Sequence, residues 1–590
     1  MAADVRRALA LEGPGALRRW VALLPLLVLG AAVEAAGAAA VFGLIRILND
    51  PAEATRLPVA STIAAWLPNH TPRTVLLVLT LLAGCLYLVR SAVLGLSFLA
   101  QERIVFGAVR RIARRVLHAY LEAPYSLLLQ RNSAALVQRV LRGAEVSATL
   151  VLASVVHLAA EGLVIAALIA LLVMTAPFST LAVALGTVAL LLLPASLGGR
   201  VFRRWGDTEQ KLEKEIQQSL QQSLGAIKEV RLRGREAGFL EVADRLRTGY
   251  TRLQRRRSML LEAVRLSGET LFVLALLGVI FVLTVQRAGA QTLSLLGLYG
   301  YVGFRLVPSA NRITRALGSL RAGVPFVRDV ADDLDSLPAS PPEPAGPPLT
   351  LARGIGFERV SFRYDSDHLV LDEVTLTIRR GESMGLVGPT GAGKTTLADL
   401  LLGLLPPTSG RVLVDGRDIR ENLRSWQEAI GYVPQEPHLL DDTVRCNVAF
   451  TLDPKEVDDD RVWRSLRLAQ LDDMVAGLPD GLNTRLGERG VRLSGGQRQR
   501  IAIARALYRD PSVLVFDEAT SALDLQTERE LVEAIGRLQG ERTVIVVAHR
   551  PSTVRRCTRL TVLREGRLVA TGTFDDLAGA GLLPTEEGVV

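Results

Sequence analysis

Two regimes of hydrophobic patterning divide the chain. Up to about residue 310 the apolar residues come in long unbroken runs, near 20–47, 74–101, 148–174, 178–199, 262–286 and 291–310. Each approaches or exceeds the roughly 20 residues that an α-helix needs to cross a bilayer. The pattern predicts six membrane-spanning helices, the sixth the most polar because Leu293 to Val307 includes Arg305 and several glycines. Beyond residue 350 the apolar runs shorten to strand length, as in Met384 to Gly388 and Val513 to Phe516, and helix-like stretches separate them. Short apolar runs of this kind are what strands buried on both faces of a parallel sheet require. The expected architecture is therefore an α-helical membrane domain followed by an α/β domain.

Charge sharpens this picture. The chain of 590 residues carries a formal charge of +9, which by itself raises nucleic-acid binding as a possibility. The placement of the basic residues points elsewhere, to a membrane protein that binds no nucleic acid. Arg6, Arg7, Arg18 and Arg19 precede the first run, the segment 103–142 is rich in arginine, and 200–257 is equally basic, whereas 48–72 holds only Arg56 and 175–177 holds no charge. Basic segments stay in the cytoplasm, so both termini are expected there. Cleavage of the first run as a signal peptide near Ala38 would leave five spans and put either the basic loops or the second domain outside. The first run is accordingly read as a span. Cys85, Cys446 and Cys557 lie far apart without a paired motif, so no disulfide framework or zinc site is implied.

Two cytoplasmic segments, between runs two and three and between runs four and five, are too long for simple connectors. Their charged helical patterning, clearest in 209–222, predicts that the membrane helices continue into the cytoplasm. The proline-rich run 338–348 reads as a semi-rigid linker. The expected division is 1–337 membrane domain, 338–349 linker, 350–583 α/β domain and 584–590 tail.

The chemistry lies in the second domain. After the apolar Met384 to Val387 come Gly388, Pro389, Thr390, Gly391, Ala392, Gly393, Lys394 and Thr395, then the helix-like run from Thr396. Strand, glycine-rich loop ending in Lys-Thr, helix is the P-loop arrangement. Its glycines let backbone N–H groups face phosphate oxygens, and the helix N-terminus adds positive potential. Lys394 then reaches the β- and γ-phosphates, and the Thr395 hydroxyl ligates Mg²⁺. A second strand-like run, Val513 to Phe516, ends in Asp517 and Glu518. Asp517 is expected to hold Mg²⁺, and Glu518, one residue on, to polarise the attacking water.

Leu493, Ser494, Gly495, Gly496 and Gln497, followed by an Arg-rich helical run, resemble the ABC transporter signature. The resemblance implies an ATP-hydrolysing domain of ABC type behind an exporter-type membrane domain of six helices, one chain being half of the machine. It also implies that two copies pack head to tail, so that Ser494 and its glycine amides cap the γ-phosphate held by Lys394 of the other copy. Further matches follow the family order. Tyr364 resembles the aromatic that stacks on adenine, and Thr396 belongs to the nucleotide-binding run. Gln435 resembles the glutamine that approaches Mg²⁺ and water. Asp524, in Ser521 to Asp524, resembles the loop facing the other subunit, and His549 the switch histidine that contacts γ-phosphate. Because every motif is intact, a homodimer with two competent ATP sites is expected, with an obligate unequal pair as the alternative. Coupling helices are expected near 133–142, with Ser133 as N-cap, and near 225–238.

For the cargo, 125–140 and 225–236 look like the matching segments of bacterial lipid-linked oligosaccharide flippases. The resemblance implies a polyprenyl-diphosphate sugar moved to the outer leaflet of the bacterial inner membrane, with other lipids or hydrophobic drugs as alternatives, and an ATP-gated channel or sensor as a reading of another class. An external loop, 48–72, is long enough for a short helix that touches a lipid tail. Glu34, Arg90, Glu161, Arg265, Glu269 and Arg305 fall within or near the apolar runs. Residues of this kind face a cavity or pair with one another. Arg90, Arg265 and Arg305 are the candidates for a diphosphate head.

Overall fold

The computed structural model describes the chain except residues 50–60, 63–64, 66–71, 130, 176–200, 203, 286–290, 339–345, 365–367, 488–489, 519–535, 537–539, 549–550 and 584–590. It forms two compact units. One comprises Met1–Ala123 with Gln130–Pro338, the other Pro124–Leu129 with Ala339–Val590. The fourth expected span, the external loop but for a few residues, and most of the linker lie outside the described residues.

The first unit is helical. Short helices α1 (Ala2–Glu12) and α2 (Ala16–Val21) lead into α3 (Leu24–Asn49). The turn between α1 and α2 is fixed by the Glu12 side chain, which is fully buried. Its carboxylate accepts from Arg19 Nε at 2.8 Å, Trp20 Nε1 at 2.7 Å, and Arg111 Nε and NH2 at 3.0 and 2.7 Å. A buried carboxylate is tolerable only with its lone pairs occupied in this way.

Helix α4 (Pro72–Glu122) is 51 residues long, far more than a bilayer needs. The basic stretch Arg103 to Arg115 lies on its second half. After α5 (Tyr125–Leu129), helix α6 starts at Ser133 and runs to Thr175. It passes through two π-helical stretches, Arg139–Gly143 and Ser147–Leu152. Helical residues 204–225 form α7, followed by α8 (Ile227–Leu232), α9 (Glu236–Val285) and α10 (Gln291–Asp335). Helices α9 and α10 extend 50 and 45 residues. Among the described residues, Ala16–Leu48, Arg73–Glu122 and Ser133–Met174 are long and apolar enough to cross a membrane.

Small residues set how closely these helices cross. A Cβ at Gly206 would lie 2.6 Å from the Ala322 carbonyl oxygen, and one at Gly143 would lie 2.5 Å from Val330 Cγ2. At Gly206 the two helix backbones nearly touch, and at Gly143 the Val330 side chain fills the space that a Cβ would take. Leu168, Leu172, Val302 and Leu306, on α6 and α10, belong to one apolar cluster, and Ile112, Val151, Val327 and Val330, on α4, α6 and α10, to another.

In the second unit β1 (Gly354–Arg363), β2 (Leu369–Arg379), β4 (Ser409–Val414) and β5 (Arg417–Asp418) form an antiparallel sheet ordered β2-β1-β4-β5. With β3 (Ser383–Val387), β6 (Ile430–Val433), β7 (Val513–Asp517), β8 (Thr543–Val547), β9 (Arg559–Arg564) and β10 (Arg567–Gly572), the larger sheet is six-stranded and ordered β10-β9-β3-β8-β7-β6. The strands that carry chemistry are β3, β6, β7 and β8. All four lie parallel. β3, β7 and β8 are buried at every position, which is why the sequence there lacks alternation. Parallel strands end at the same edge. The loops after β3, β6 and β7 are therefore neighbours although they are far apart in sequence.

Candidate functional site

The site is built on that common edge. Gly388 follows β3 with φ of 154°, and a Cβ there would lie 2.1 Å from the Leu563 carbonyl oxygen. Gly393, at φ 98°, is the N-cap of α11 (Lys394–Leu401). A side chain is excluded at both of these points. The bend aims the N-terminus of α11, with its unpaired N–H groups, along the strand edge. Lys394 is 4% exposed. Its ammonium group donates to Gly388 O at 2.9 Å and Pro389 O at 3.0 Å, so the lysine holds the loop that it serves. Burial pushes its pKa down, against the attraction of Glu518 and Asp517. A phosphate would reverse the burial effect by supplying the missing counter-charge.

Asp517 ends β7 beside Val547 of β8 and accepts from Tyr432 Oη at 3.3 Å. The next residue, Glu518, takes a φ of 47°, the left-handed conformation. That twist, held by the bond from Glu518 N to Val547 O at 2.9 Å, lifts its carboxylate off the strand line. There Glu518 Oε2 accepts from Gln435 Nε2 at 2.8 Å, and Gln435 lies just beyond β6. Two residues read separately from the sequence, 83 positions apart, are thus hydrogen-bonded partners.

Sequence reasoning missed Asp399, in the second half of α11. Burial and the Asp517 carboxylate push its pKa up to about 6. Tyr432 is driven upward as well, first by burial and then by Asp517 and Asp399. A carboxylate five residues after a P-loop lysine on a helix is the signal that could have found Asp399. Tyr125 of α5 was missed too, and its phenol is raised by burial, then by Asp399 and Tyr364.

Tyr364 stands at the end of β1 (Gly354–Arg363), exposed and edge-on to Phe362 at 4.9 Å between ring centroids. Its hydroxyl lies 3.2 Å from Thr396 Oγ1, so the adenine candidate and the P-loop helix share one bond. Thr395 is exposed at the first turn of α11.

Ser494 caps α14 (Gly495–Leu507), which follows α12 (Val444–Ala449) and α13 (Asp459–Leu468) in the helical part of this domain. Its Oγ accepts from Gln497 N at 3.2 Å, and Gln497 Oε1 accepts from Ser494 N at 2.9 Å. This capping box explains why serine and glutamine sit at this spacing, three residues apart. Gly495 and Gly496 follow on the first turn without side chains to cover its N–H groups. The helix is anchored by Arg505, which donates to Asn447 O and His438 O and stacks over Phe450. Asp524 and His549 lie outside the described residues, as does Ser521.

The donor set suits Mg²⁺, which binds few protein oxygens and takes the rest from phosphate and water. Thr395, Asp517 and Gln435 supply such oxygens at the edge of one sheet. No cluster of three or more His, Cys, Asp or Glu suited to a metal occurs among the described residues.

In the membrane domain the three candidate arginines are paired. Arg90 Nε and NH2 donate to Glu34 at 2.5 and 3.2 Å, and Arg305 Nε pairs with the same carboxylate. Tyr87 and Tyr301 are hydrogen-bonded through their hydroxyls beside them, and Arg90 lies 5.3 Å from the Tyr87 ring centroid. Arg265 instead sits between Glu262 and Glu269 on its own helix, at 3.0 Å from Glu269. It is not brought to the Glu34 cluster by any of these bonds.

The coupling segments need correction. Ser133 is not the N-cap; Asn132 is, its Oδ1 accepting from Ala134 N at 2.8 Å. Residues 133–142 are the start of α6, and the separate short helix is α5, which belongs with the second unit. Pro124 opens it, Leu127 N bonding to Pro124 O at 3.0 Å. Proline before a short apolar run was the overlooked start signal. A short helix does occur in the second expected segment, as α8, with Leu232 exposed at its end.

Residues 371–521 match the family model described as ABC transporter, and residues 41–298 that described as ABC transporter transmembrane region. The chain is 36% identical over 497 residues to the ATP-dependent lipid A-core flippase of Cupriavidus metallidurans, covering 81% of each. It is 34% identical over 468 residues to the protein of that name from Ralstonia nicotianae, covering 78% of each. Among solved structures, a bacterial Atm1-family ABC exporter with ATP bound superposes with a TM-score of 0.79 over 96% of both chains, at 24% identity. That identity speaks for the fold alone.

Proposed function

The chain belongs to the ABC transporter family as an exporter half-transporter that couples ATP hydrolysis to transport, and from that premise we propose that a homodimer of it flips an amphipathic lipid with a phosphorylated head to the outer leaflet of the bacterial inner membrane. The observation that carries the cargo reading is the Glu34 cluster. Two guanidinium groups share one carboxylate within the membrane helices, which leaves one positive charge in excess. An unbalanced charge at that depth is costly, and an anionic headgroup would balance it. Arg90 and Arg305 supply forked donors suited to phosphate. Arg265 has no excess charge to offer, since two carboxylates flank it.

A polyprenyl-diphosphate oligosaccharide is the first form of such a cargo. The named activity of the relatives favours a second, a lipid A-core molecule. Both carry phosphorylated sugar on a lipid anchor. An uncharged hydrophobic drug would leave the excess charge unmet.

The motor acts through a shared nucleotide. Tyr364 stacks on adenine, the loop 388–393 and Lys394 wrap the phosphates, and Ser494 with Gly495 and Gly496 of a second copy close over the γ-phosphate. Thr395, Asp517 and Gln435 would hold Mg²⁺, which would supply charge neutralisation at the phosphate oxygens. Glu518 polarises water, and the Gln435 amide that holds its carboxylate orients it; His549 contacts γ-phosphate. Asp524 faces the other copy. Nucleotide bound by both copies favours the conformation in which they touch, and loss of the γ-phosphate releases it. Both termini and the ATPase domain lie in the cytoplasm, with the basic segments.

The test is a flipping assay in liposomes with a polyprenyl-diphosphate glycan, a lipid A-core preparation and an uncharged drug panel, using Glu518→Gln as the blank. Movement of either phosphorylated lipid above the blank is expected. Movement of the drugs alone would sink the cargo reading.

A further inference from the structure

The carboxylate of Asp333 ties together both flanks of α5. Tyr120, in the last turn of α4, donates from Oη to Asp333 Oδ2 at 2.6 Å. Arg131, between α5 and α6, donates from NH1 to Asp333 Oδ1 and from NH2 to Ser336 Oγ at 2.8 Å. Ser336 Oγ in turn donates to Asp333 O at 2.6 Å. Arg139, on α6, lies 3.2 Å from Asp333 Oδ1 and donates from Nε to Asp329 Oδ2 at 2.8 Å.

The group is not a loose surface arrangement. Tyr120 is 5% exposed, and the side chains of Asp333 and Arg131 are 10% and 19% exposed. Tyr120 shares an apolar cluster with Val116, Val327, Val330 and Ala331. Burial, and after it the hydrogen bond to Asp333, pushes the Tyr120 phenol upward, so it stays a donor at any working pH. Hydrogen bonds to a buried ionised group are the strong ones.

Position gives the group its meaning. Residues 120 and 131 bracket Pro124–Leu129, the segment of the membrane-domain sequence that belongs with the ATPase unit. Asp333 is also two residues from the end of α10. Along the chain, α10 leads directly into the proline-rich run to the ATPase domain. One carboxylate therefore holds the chain before and after α5 and lies on the stem of the covalent connection. We infer that Asp333 is the positioning residue that makes α4, α6 and α10 follow α5 as one body when the ATPase domain changes state. Without it, α5 would move at the end of slack chain, and nucleotide would bind and be split without moving the spans.

This inference rests on the exporter reading but not on the cargo. Its readout is therefore cargo-free: trypsin cleavage of the basic cytoplasmic helices in full-length protein in liposomes, with and without ATP, magnesium and orthovanadate. Trapped nucleotide is counted in the same samples. In the unmodified protein, trapping is expected to slow cleavage between 204 and 257. Asp333→Ala is expected to trap nucleotide to the same extent but to lose most of that protection. The balance between linked and slack forms shifts by about tenfold or more for each charge-assisted bond lost. Asp333→Glu should restore protection, and Tyr120→Phe should lose it in part. Should Asp333→Ala not fold, Tyr120→Phe decides the matter on the same criteria.

Retained protection in the variants overturns the inference. So does loss of trapping in parallel with loss of protection, since that marks a merely structural residue. Absence of any nucleotide-dependent protection in the unmodified protein overturns it too. Failure of every lipid in the flipping assay, with protection behaving as expected here, would count against the cargo alone.

Discussion

Removing Glu34 should cost more stability than removing either arginine that it holds. The cluster contains one carboxylate and two guanidiniums, with side chains 6%, 13% and 20% exposed for Glu34, Arg90 and Arg305. Its net charge is +1. Glu34→Ala raises it to +2 and leaves two cations facing each other across the vacated position. At about 4 Å and an effective dielectric of about 20, each lost attraction is worth about 4 kcal/mol. Breaking a buried pair by removing one partner costs about 3–5 kcal/mol in practice. Arg305→Ala instead lowers the charge to zero and keeps the bidentate Arg90–Glu34 pair, so its cost should be about 1 kcal/mol or less by the same reasoning. The assay is the thermal midpoint of detergent-purified protein followed by size-exclusion fluorescence, with far-UV circular dichroism to check helix content. The order expected, most to least stable, is unmodified protein or Arg305→Ala, then Arg90→Ala, then Glu34→Ala. The double variant Glu34→Ala/Arg305→Ala should be more stable than Glu34→Ala, because the repulsion is gone. Finding Glu34→Ala as stable as Arg305→Ala would refute the charge arithmetic. Transport should run against stability: Arg305→Ala loses the excess charge and with it the lipid flipping, while basal ATP hydrolysis continues.

Other outcomes follow from the ATPase domain. Glu518→Gln should slow ATP hydrolysis by about 10²-fold or more with nucleotide binding retained; unimpaired turnover by phosphate release would remove Glu518 from its role. Gln435→Ala should reduce hydrolysis less, since it releases the Glu518 carboxylate rather than deleting it, and an effect larger than that of Glu518→Gln would reverse the assignment. Gly388→Ala should abolish ATP binding, because its methyl group would stand 2.1 Å from the Leu563 carbonyl oxygen; normal binding of a fluorescent nucleotide would contradict that geometry. Asp415 accepts from the backbone N–H groups of Ala352, Arg353 and Gly354 at 2.6, 2.7 and 2.8 Å, and these bonds outweigh burial and hold its pKa down. A depressed carboxylate stabilises the fold above its unfolded pKa and loses that contribution as pH falls through the folded one. Asp415→Asn should therefore cost about 1–3 kcal/mol at neutral pH and flatten the acid limb of a thermal-stability profile; an unchanged limb would place the acid sensitivity elsewhere.

Much of this protein was legible from local pattern. Runs as long as a bilayer is thick admit few structures, and helices α3, α4, α6, α9 and α10 appear where the apolar blocks require them. The P-loop was equally plain, because phosphate binding demands glycine, lysine and a helix start in consecutive positions. Those are properties of adjacent residues, and sequence order states them directly. The coupling segment was misread for a related reason. Residues 133–142 have the amphipathic pattern of a separate helix, but pattern does not say where one helix ends, and the chain instead continues from Ser133 to Thr175. The turn at Ala123–Pro124 separates α5 from α4, and Arg131 and Asn132 separate it from α6.

What the tertiary structure alone decided are the partnerships between distant residues. Gln435 meets Glu518 because β6 and β7 are adjacent parallel strands that end at one edge. Glu34 meets Arg90 and Arg305 because α3, α4 and α10 pack together. Tyr120, Arg131 and Asp333 converge from segments up to 213 residues apart. A side chain's chemistry is written in its identity, but its charge balance belongs to whatever surrounds it. An arginine that reads as a phosphate ligand in isolation becomes half of an ion pair once a glutamate on another helix comes within 3 Å. That approach is fixed by packing summed over the whole domain, and no window of sequence contains it.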